Sequence, residues 1–242
     1  MKTRTLGLAL AGILIAGFAV AVDLPAQTEG DSALGPLPPA HEGDVHSARK
    51  DWAAARDAYL EAIERSATLH NKLGICYQRL GDVAAARKAY GIALEFRPDY
   101  AEAWNNIGTL DHVRQDYAGA AFAYQKSIAL DATDPVVYKN LGQAYLALED
   151  VEKTLEAWSQ AMRLDPQVLM SSEKDSVLAG QLDLARKYYI YAKLVAADGD
   201  VDTALELLGM AREHGFRDFG KVENDPDFAS VIQDPRWTSW AP

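Results

Sequence analysis

A segment of 34 residues occurs three times in succession in this chain, at residues 67–100, 101–134 and 135–168. In each copy the first half carries a bulky residue followed by Leu or Ile and then Gly. The second half carries an aromatic residue between two small residues. A fixed period of this length indicates a repeat array, because one such unit is too small to bury its own apolar face. The chain is therefore expected to be a helical solenoid that works through an extended surface.

The spacing within a repeat predicts two helices. Trp104, Ile107 and Gly108 stand at positions i, i+3 and i+4, so they share one face of a helix. Glycine inside a helix costs about 1 kcal/mol relative to alanine, so its recurrence at one place indicates that the partner helix approaches closely there. The large residues expected to fill the space beside these glycines are Tyr90, Tyr124 and Trp158.

This pattern resembles the tetratricopeptide repeat family, and the resemblance is strong over residues 67–168. It implies an all-α, right-handed superhelical solenoid of antiparallel helix pairs with a short C-terminal capping helix. The chain departs from the family pattern at three places. His70 replaces an aromatic residue, Asp111 replaces a tyrosine and Ala132 replaces a proline.

The remaining segments are weaker versions of the same pattern or lie outside it. Asp225-Pro226 and Asp234-Pro235 bracket a short apolar helix that is followed by Trp237 and Trp240, as expected for a cap over the last repeat. The expected units are a partial N-terminal repeat at 40–66, a helical insertion at 169–184, a degenerate fourth repeat at 185–218 and a C-terminal cap at 219–242.

The first 21 residues form a targeting segment. Lys2 and Arg4 precede an apolar run, and Ala19-Val20-Ala21 has the small-x-small pattern of a cleavage site. We expect a cleaved signal peptide at 1–21 and a periplasmic or secreted protein. The alternative is an inner-membrane anchor at 5–22 with the solenoid outside. Residues 22–39 are polar and rich in Gly and Pro, which indicates a flexible linker.

Charge and cysteine content restrict the partners and the chemistry. The formal net charge is −11, and an acidic chain is a poor match for phosphate backbones, so we expect no nucleic-acid partner. Cys76 is the one cysteine, so no internal disulfide is expected. The chain lacks a phosphate-binding glycine loop, a nucleophile elbow and paired metal-ligand motifs. We therefore expect no catalytic residue, no metal and no cofactor.

In the tetratricopeptide repeat family the first helix of each pair lines the concave face. Carried over position by position, the resemblance implies a protein-binding groove made of Asn71, Lys72, Ile75, Arg79, Asn105, Asn106, Thr109, His112, Lys139, Asn140, Gln143, Arg186, Tyr189 and Lys193. Five of these residues are Lys or Arg, and the one acid at an equivalent position is Glu102. A groove of that charge favours acidic protein segments. The alternative is that the asparagines only follow the family pattern and the cations are solvated.

The sequence thus predicts a non-enzymatic interaction scaffold or adaptor of the cell envelope that binds a peptide segment or a partner protein in the groove. Two alternatives stay open. The chain could be a structural module that self-associates through its C-terminal cap or convex face. It could also be an accessory or assembly factor for an envelope enzyme complex.

Overall fold

A computed structural model describes residues 38–62, 66–170 and 183–240, with side chains up to residue 237. Within these ranges every regular element is a helix, and none of these helices has the length and apolar character needed to cross a membrane. The signal peptide, nearly all of the linker and most of the insertion predicted from the sequence lie outside the described residues.

Five pairs of helices follow one another along the chain. They are α1 (Pro39–Ala48) with α2 (Trp52–Glu61), α3 (Ala67–Arg79) with α4 (Val83–Phe96), α5 (Ala101–Val113) with α6 (Tyr117–Leu130), α7 (Pro135–Ala147) with α8 (Val151–Leu164), and α9 (Leu184–Ala197) with α10 (Val201–Glu213). The predicted fold class is therefore confirmed.

The pairs are arranged in two layers. Two successive pairs of first helices also contact each other, namely α3 with α5 and α5 with α7. Because successive first helices approach each other in this way, we place them on the inner side of the solenoid. We call their exposed surface the concave face, and the second helices form the outer layer.

Each second helix begins in the same way. An aspartate caps it by accepting a hydrogen bond from the backbone N–H three residues later, which satisfies one of the helix's unpaired donors. These caps are Asp51, Asp82, Asp116, Asp150 and Asp200. The residue just before each cap has a positive φ. It is Gly81 or Gly199 in two turns, but Lys50, Gln115 and Glu149 in the other three.

Each repeat glycine makes room for an aromatic ring of its partner helix. A Cβ atom on Gly74 would lie 2.4 Å from the ring of Tyr90, and one on Gly108 would lie 2.6 Å from the ring of Tyr124. The same contact occurs in the N-terminal pair, where a Cβ on Gly43 would lie 2.5 Å from Tyr59. The predicted reason for the glycines is therefore correct, and the close approach involves an aromatic side chain.

Two departures from the family pattern are accommodated locally. Asp111 is almost fully buried and accepts a hydrogen bond from the guanidinium of Arg87 on α4, so a polar bond replaces aromatic packing there. The centre of the His70 imidazole lies 5.4 Å from the centre of the Phe96 ring.

Cys76 is buried, and burial raises the pKa of its thiol to about 11, which keeps the thiol protonated at neutral pH.

The last pair is covered by a cap of short helices. The cap comprises α11 (Gly220–Glu223), a 3-10 turn (Pro226–Phe228), α12 (Ala229–Ile232) and α13 (Pro235–Trp240). Its apolar side chains Val222, Phe228, Val231 and Trp237 are buried in one cluster with residues of α9 and α10. The cap therefore closes the end of the hydrophobic core, as a solenoid requires.

Candidate protein-binding face

The fourteen residues predicted for the groove all lie on α3, α5, α7 and α9. These fourteen residues are not equivalent in the fold. Some are buried, some form ion pairs with acidic residues, and a few are accessible. Three groups can be distinguished by their contacts: an amide ladder at the centre, charged pairs along the face, and side chains sealed inside it.

The amide ladder crosses three helices. The side-chain amide of Asn106 donates to Asn71 Oδ1 at 3.0 Å, and that of Asn140 donates to Asn105 Oδ1 at 3.2 Å. Asn71 and Asn140 are buried, whereas Asn105 and Asn106 are partly exposed. Each accessible amide of α5 is thus held in place by a buried amide of a neighbouring helix.

The aromatic residues beside the glycines reach the same face with their polar ends. Tyr90 Oη donates to the side chain of Gln78 at 2.7 Å, and Trp158 Nε1 donates to the carbonyl of Lys139 at 3.2 Å. Tyr124 Oη lies 3.4 Å from Thr109 Oγ1. The Thr109 hydroxyl in turn donates to the backbone carbonyl of Asn105 at 3.1 Å. These bonds link the core to the face and restrict movement of the residues that line it.

Acidic residues offset the cations that the sequence predicted for the groove. Lys72 Nζ lies 2.5 Å from Asp44 Oδ1 on α1, and the Arg186 guanidinium lies 3.3 Å from Glu149 Oε1. Lys193 is bonded to Asp225 of the cap and lies 3.1 Å from Asp227. Burial by itself would lower the pKa of Lys193, but hydrogen bonds to these two acids together outweigh it and raise that pKa. Three of the five predicted cations are therefore balanced by acids outside the predicted groove set.

The other two cations behave differently. The guanidinium of Arg79 lies 5.5 Å from the centre of the Trp52 ring, in a cation–π contact, and its side chain is exposed. Lys139 is partly exposed beside the amide ladder.

Sequence reasoning missed Asp44, the acidic partner of Lys72. Asp44 directly follows Gly43, the glycine of the partial repeat, and so occupies a groove position of that repeat.

Four predicted groove residues make close contacts within the fold: Gln143 and His112 are buried, and Ile75 and Tyr189 are partly buried. Ile75 packs against the cluster of Tyr90 and Leu110, and Gln143 is only 2 % exposed. Tyr189 stacks on Phe216 with ring centres 4.6 Å apart and also contacts Phe228, so the cap covers this part of the concave face. The cap therefore limits access to α9 at Tyr189, whereas Arg186 at the start of α9 is partly exposed.

His112 is the fourth of these residues and is only 1 % exposed. The centres of its ring and the Tyr117 ring lie 5.0 Å apart in an edge-to-face arrangement. Its Nδ1 atom has no hydrogen-bond partner among the described residues. Burial lowers the pKa of the imidazole to about 4, so the ring is neutral at physiological pH. His112 therefore lies below the open surface of the concave face, and not on it as the sequence predicted.

Among the residues that the structure describes, no group of three or more His, Cys, Asp or Glu side chains is placed to hold a metal ion.

Comparison with known sequences places one repeat in a family. Residues 67–100 match the sequence model of the tetratricopeptide repeat. The chain is 29% identical over 103 residues to the heat shock protein sti1 homolog of Schizosaccharomyces pombe, and 28% identical over 90 residues to the general transcriptional corepressor trfA of Dictyostelium discoideum. The matches cover 41% and 37% of this chain, but only 17% and 6% of those proteins.

Solved structures show the same fold over most of the chain. PilF of Pseudomonas aeruginosa superposes with a TM-score of 0.56 at 17% identity, covering 83% of this chain and 86% of that one. MamA of Desulfovibrio magneticus RS-1 superposes with a TM-score of 0.53 at 21% identity, covering 73% and 92%. At this level of identity the likeness concerns the fold alone. Residues 67–100 are therefore a tetratricopeptide repeat, and the chain has the fold of a tetratricopeptide-repeat solenoid.

Proposed function

We propose that this chain is a non-enzymatic scaffold that binds an extended segment of a partner protein across α3, α5 and α7. The observation that carries the proposal is the amide ladder, in which the accessible Asn105 and Asn106 are held by buried asparagines. Tetratricopeptide-repeat solenoids typically act through protein binding, which supports this class of function.

An asparagine side chain suits the recognition of a polypeptide backbone. It offers two donors and a carbonyl acceptor, the same groups that an extended backbone presents. In the ladder each amide uses only part of this capacity. Since their orientation is already restricted, Asn105 and Asn106 lose little conformational entropy when a partner binds.

The paired charges of the concave face predict modest salt dependence. Lys72, Arg186 and Lys193 already have acidic partners, so a bound segment gains little from them. We therefore expect recognition to rest on backbone hydrogen bonds rather than on acidic side chains. A steep loss of affinity with added salt would instead support the acidic partner predicted from the sequence.

Affinity capture tests the proposal. The full chain with a C-terminal tag is expressed in its source cell, and captured proteins are identified by mass spectrometry. The Asn105→Ala/Asn106→Ala variant should bind the partner roughly tenfold more weakly, because two hydrogen bonds of about 0.5–1.5 kcal/mol each are removed. The identity of the partner, a separate protein or a subunit of an enzyme complex, distinguishes an adaptor from an accessory factor.

A matched pair of changes on the outer layer serves as the control. Lys88 and Glu156 are exposed on α4 and α8, so a Lys88→Ala/Glu156→Ala variant alters the convex surface without touching the ladder. It should retain the partner. Equal capture by both variants would reject the concave face as the binding site.

We further propose that the protein is exported. The support is the sequence of residues 1–21, a basic start followed by an apolar run and Ala19-Val20-Ala21. The intact mass of the protein recovered from its cell tests this, with a mature chain expected to begin at Val22. A mass that still includes residues 1–21 would favour the membrane-anchor alternative.

A further inference from the structure

A small cavity lies at the C-terminal ends of α5 and α7. Its volume is about 200 Å³, and it is lined by residues of α5, α6 and α7 together with Asp183 and Arg186 at the start of α9. Sites for whole small molecules usually exceed about 300 Å³. The cavity therefore has the size for one side chain rather than for a cofactor.

The inner end of the cavity is polar but uncharged. His112, Gln143 and Leu146 are each less than 5 % exposed, so they form its deep part. Burial keeps the imidazole of His112 neutral, and the amide of Gln143 carries no charge. A charged group placed here would lose its hydration without meeting an opposite charge, which is strongly unfavourable.

Unsatisfied hydrogen bonding at this end favours a polar occupant. Nδ1 of His112 is buried and has no hydrogen-bond partner among the described residues, an arrangement that costs about 1–3 kcal/mol. Buried polar atoms are nearly always paired in proteins. A ligand group that donates or accepts a hydrogen bond near the imidazole would remove this cost.

The outer edge of the cavity does not supply a cation for an acidic ligand. The guanidinium of Arg186 lies 3.3 Å from Glu149 and 4.0 Å from Asp183, so its charge is already balanced. Leu146, Ala147 and the ring of Tyr117 provide apolar walls that suit a flat group.

We infer that this cavity is an anchor site of the concave face that takes one side chain with a neutral, planar, hydrogen-bonding end, an amide or a phenol. The inference rests on the proposed protein-binding function, because the side chain belongs to the bound segment. It identifies the kind of partner: a segment that presents Asn, Gln or Tyr next to the backbone held by Asn105 and Asn106.

Small probes can test the cavity without knowledge of the partner. The full chain is prepared with ¹⁵N-labelled histidine, and the ring signals of His112 are assigned by their loss in His112→Phe. Millimolar p-cresol represents the phenol and propionamide represents the amide, with propionate and propylammonium as charged probes of similar size. We expect p-cresol, propionamide or both to shift the His112 signals in a saturable way, and the charged probes to leave them unchanged.

Two tryptophan substitutions locate the binding. Ala147 is exposed at the edge of the cavity, so Ala147→Trp should block entry and abolish the shift. Ala84 is exposed on α4, away from the cavity, so Ala84→Trp should leave the shift intact. Both variants are checked for an unchanged unfolding temperature.

The results separate this inference from the proposed function. The inference is overturned if no neutral probe shifts His112, if the charged probes act equally, or if the shift survives in Ala147→Trp. Partner capture through Asn105 and Asn106 would still stand in each case. If the probes bind but no partner is captured, the proposed function fails, and with it the assignment of the occupant to a protein segment.

Discussion

At the scale of single residues, contacts between glycines and aromatic rings determine how closely the two helices of a pair approach. Gly108 faces Tyr124 so closely that an added Cβ would lie 2.6 Å from the ring. We expect Gly108→Ala to lower the free energy of unfolding by about 1–3 kcal/mol, because overpacking outweighs the better helix propensity of alanine. Urea unfolding followed by circular dichroism measures this change.

Gly91 is the matched control for this prediction. It also lies inside a helix, α4, but a Cβ there would meet no atom within 4 Å. Gly91→Ala should therefore raise the free energy of unfolding by up to about 1 kcal/mol. If both substitutions stabilise the protein, the contact between Gly108 and Tyr124 does not limit the packing.

His112 should make stability depend on pH. Its pKa is about 4 in the folded protein and about 6.5 in an unfolded chain, so the unfolded state binds a proton first as the pH falls. Stability should thus be full above pH 6.5 and decline between pH 6.5 and 4. The expected loss at pH 5 is about 1–2 kcal/mol, measured by urea unfolding across this range.

The His112→Phe variant tests the origin of this decline. Phenylalanine fills a similar volume without titrating, so the loss of stability between pH 6.5 and 5 should become smaller. An unchanged pH profile would show that the imidazole is solvated in solution and that the decline has another source. The caps Asp150 and Asp200 do not confuse the comparison, because hydrogen bonds from Lys153 and Thr203 lower the pKa of these two carboxyl groups.

At the scale of helices, the turn inside each pair constrains the backbone. Gln115 has a φ of 64°, a left-handed conformation that costs a residue with a side chain about 1 kcal/mol relative to glycine. Its side chain is exposed, so Gln115→Gly should raise the unfolding temperature by a few degrees. The reverse change at the equivalent place, Gly81→Gln, should lower it, and differential scanning calorimetry measures both. An unfolding temperature that falls in Gln115→Gly would show that the glutamine side chain contributes to the turn.

At the scale of the whole molecule, the cap closes an otherwise exposed apolar end. Phe228, Val231 and Trp237 are buried against α9 and α10. Deleting residues 225–242 should therefore expose this surface, increase self-association in sedimentation experiments and speed amide hydrogen exchange in α9 and α10 more than in α3 and α4. The hypothesis of self-association through the cap makes the opposite prediction, because a dimer would be lost on this deletion. The buried position of Trp237 argues against that hypothesis.

Much of this architecture could be predicted from local spacing. A 34-residue period with apolar residues at i, i+3 and i+4 determines which face of each helix is buried, and the close contact at the glycines follows from that pattern. The resemblance to the tetratricopeptide repeat family implied that Asn105, Asn106 and Lys139 lie on the concave face. These features depend on residues only a few positions apart or on one repeat distance, so a single sequence contains the information.

The charge and access of the concave face were decided by the tertiary structure. Asp44 reaches Lys72 from the preceding helix pair, and Asp225 reaches Lys193 from the cap, 32 residues further along the chain. His112 is buried and packs against the ring of Tyr117 on α6. The sequence by itself determined a repeating helical scaffold and the helices that line its concave face. Only the tertiary structure decided which residues there are accessible, because burial and charge pairing depend on distances between segments that periodicity does not specify.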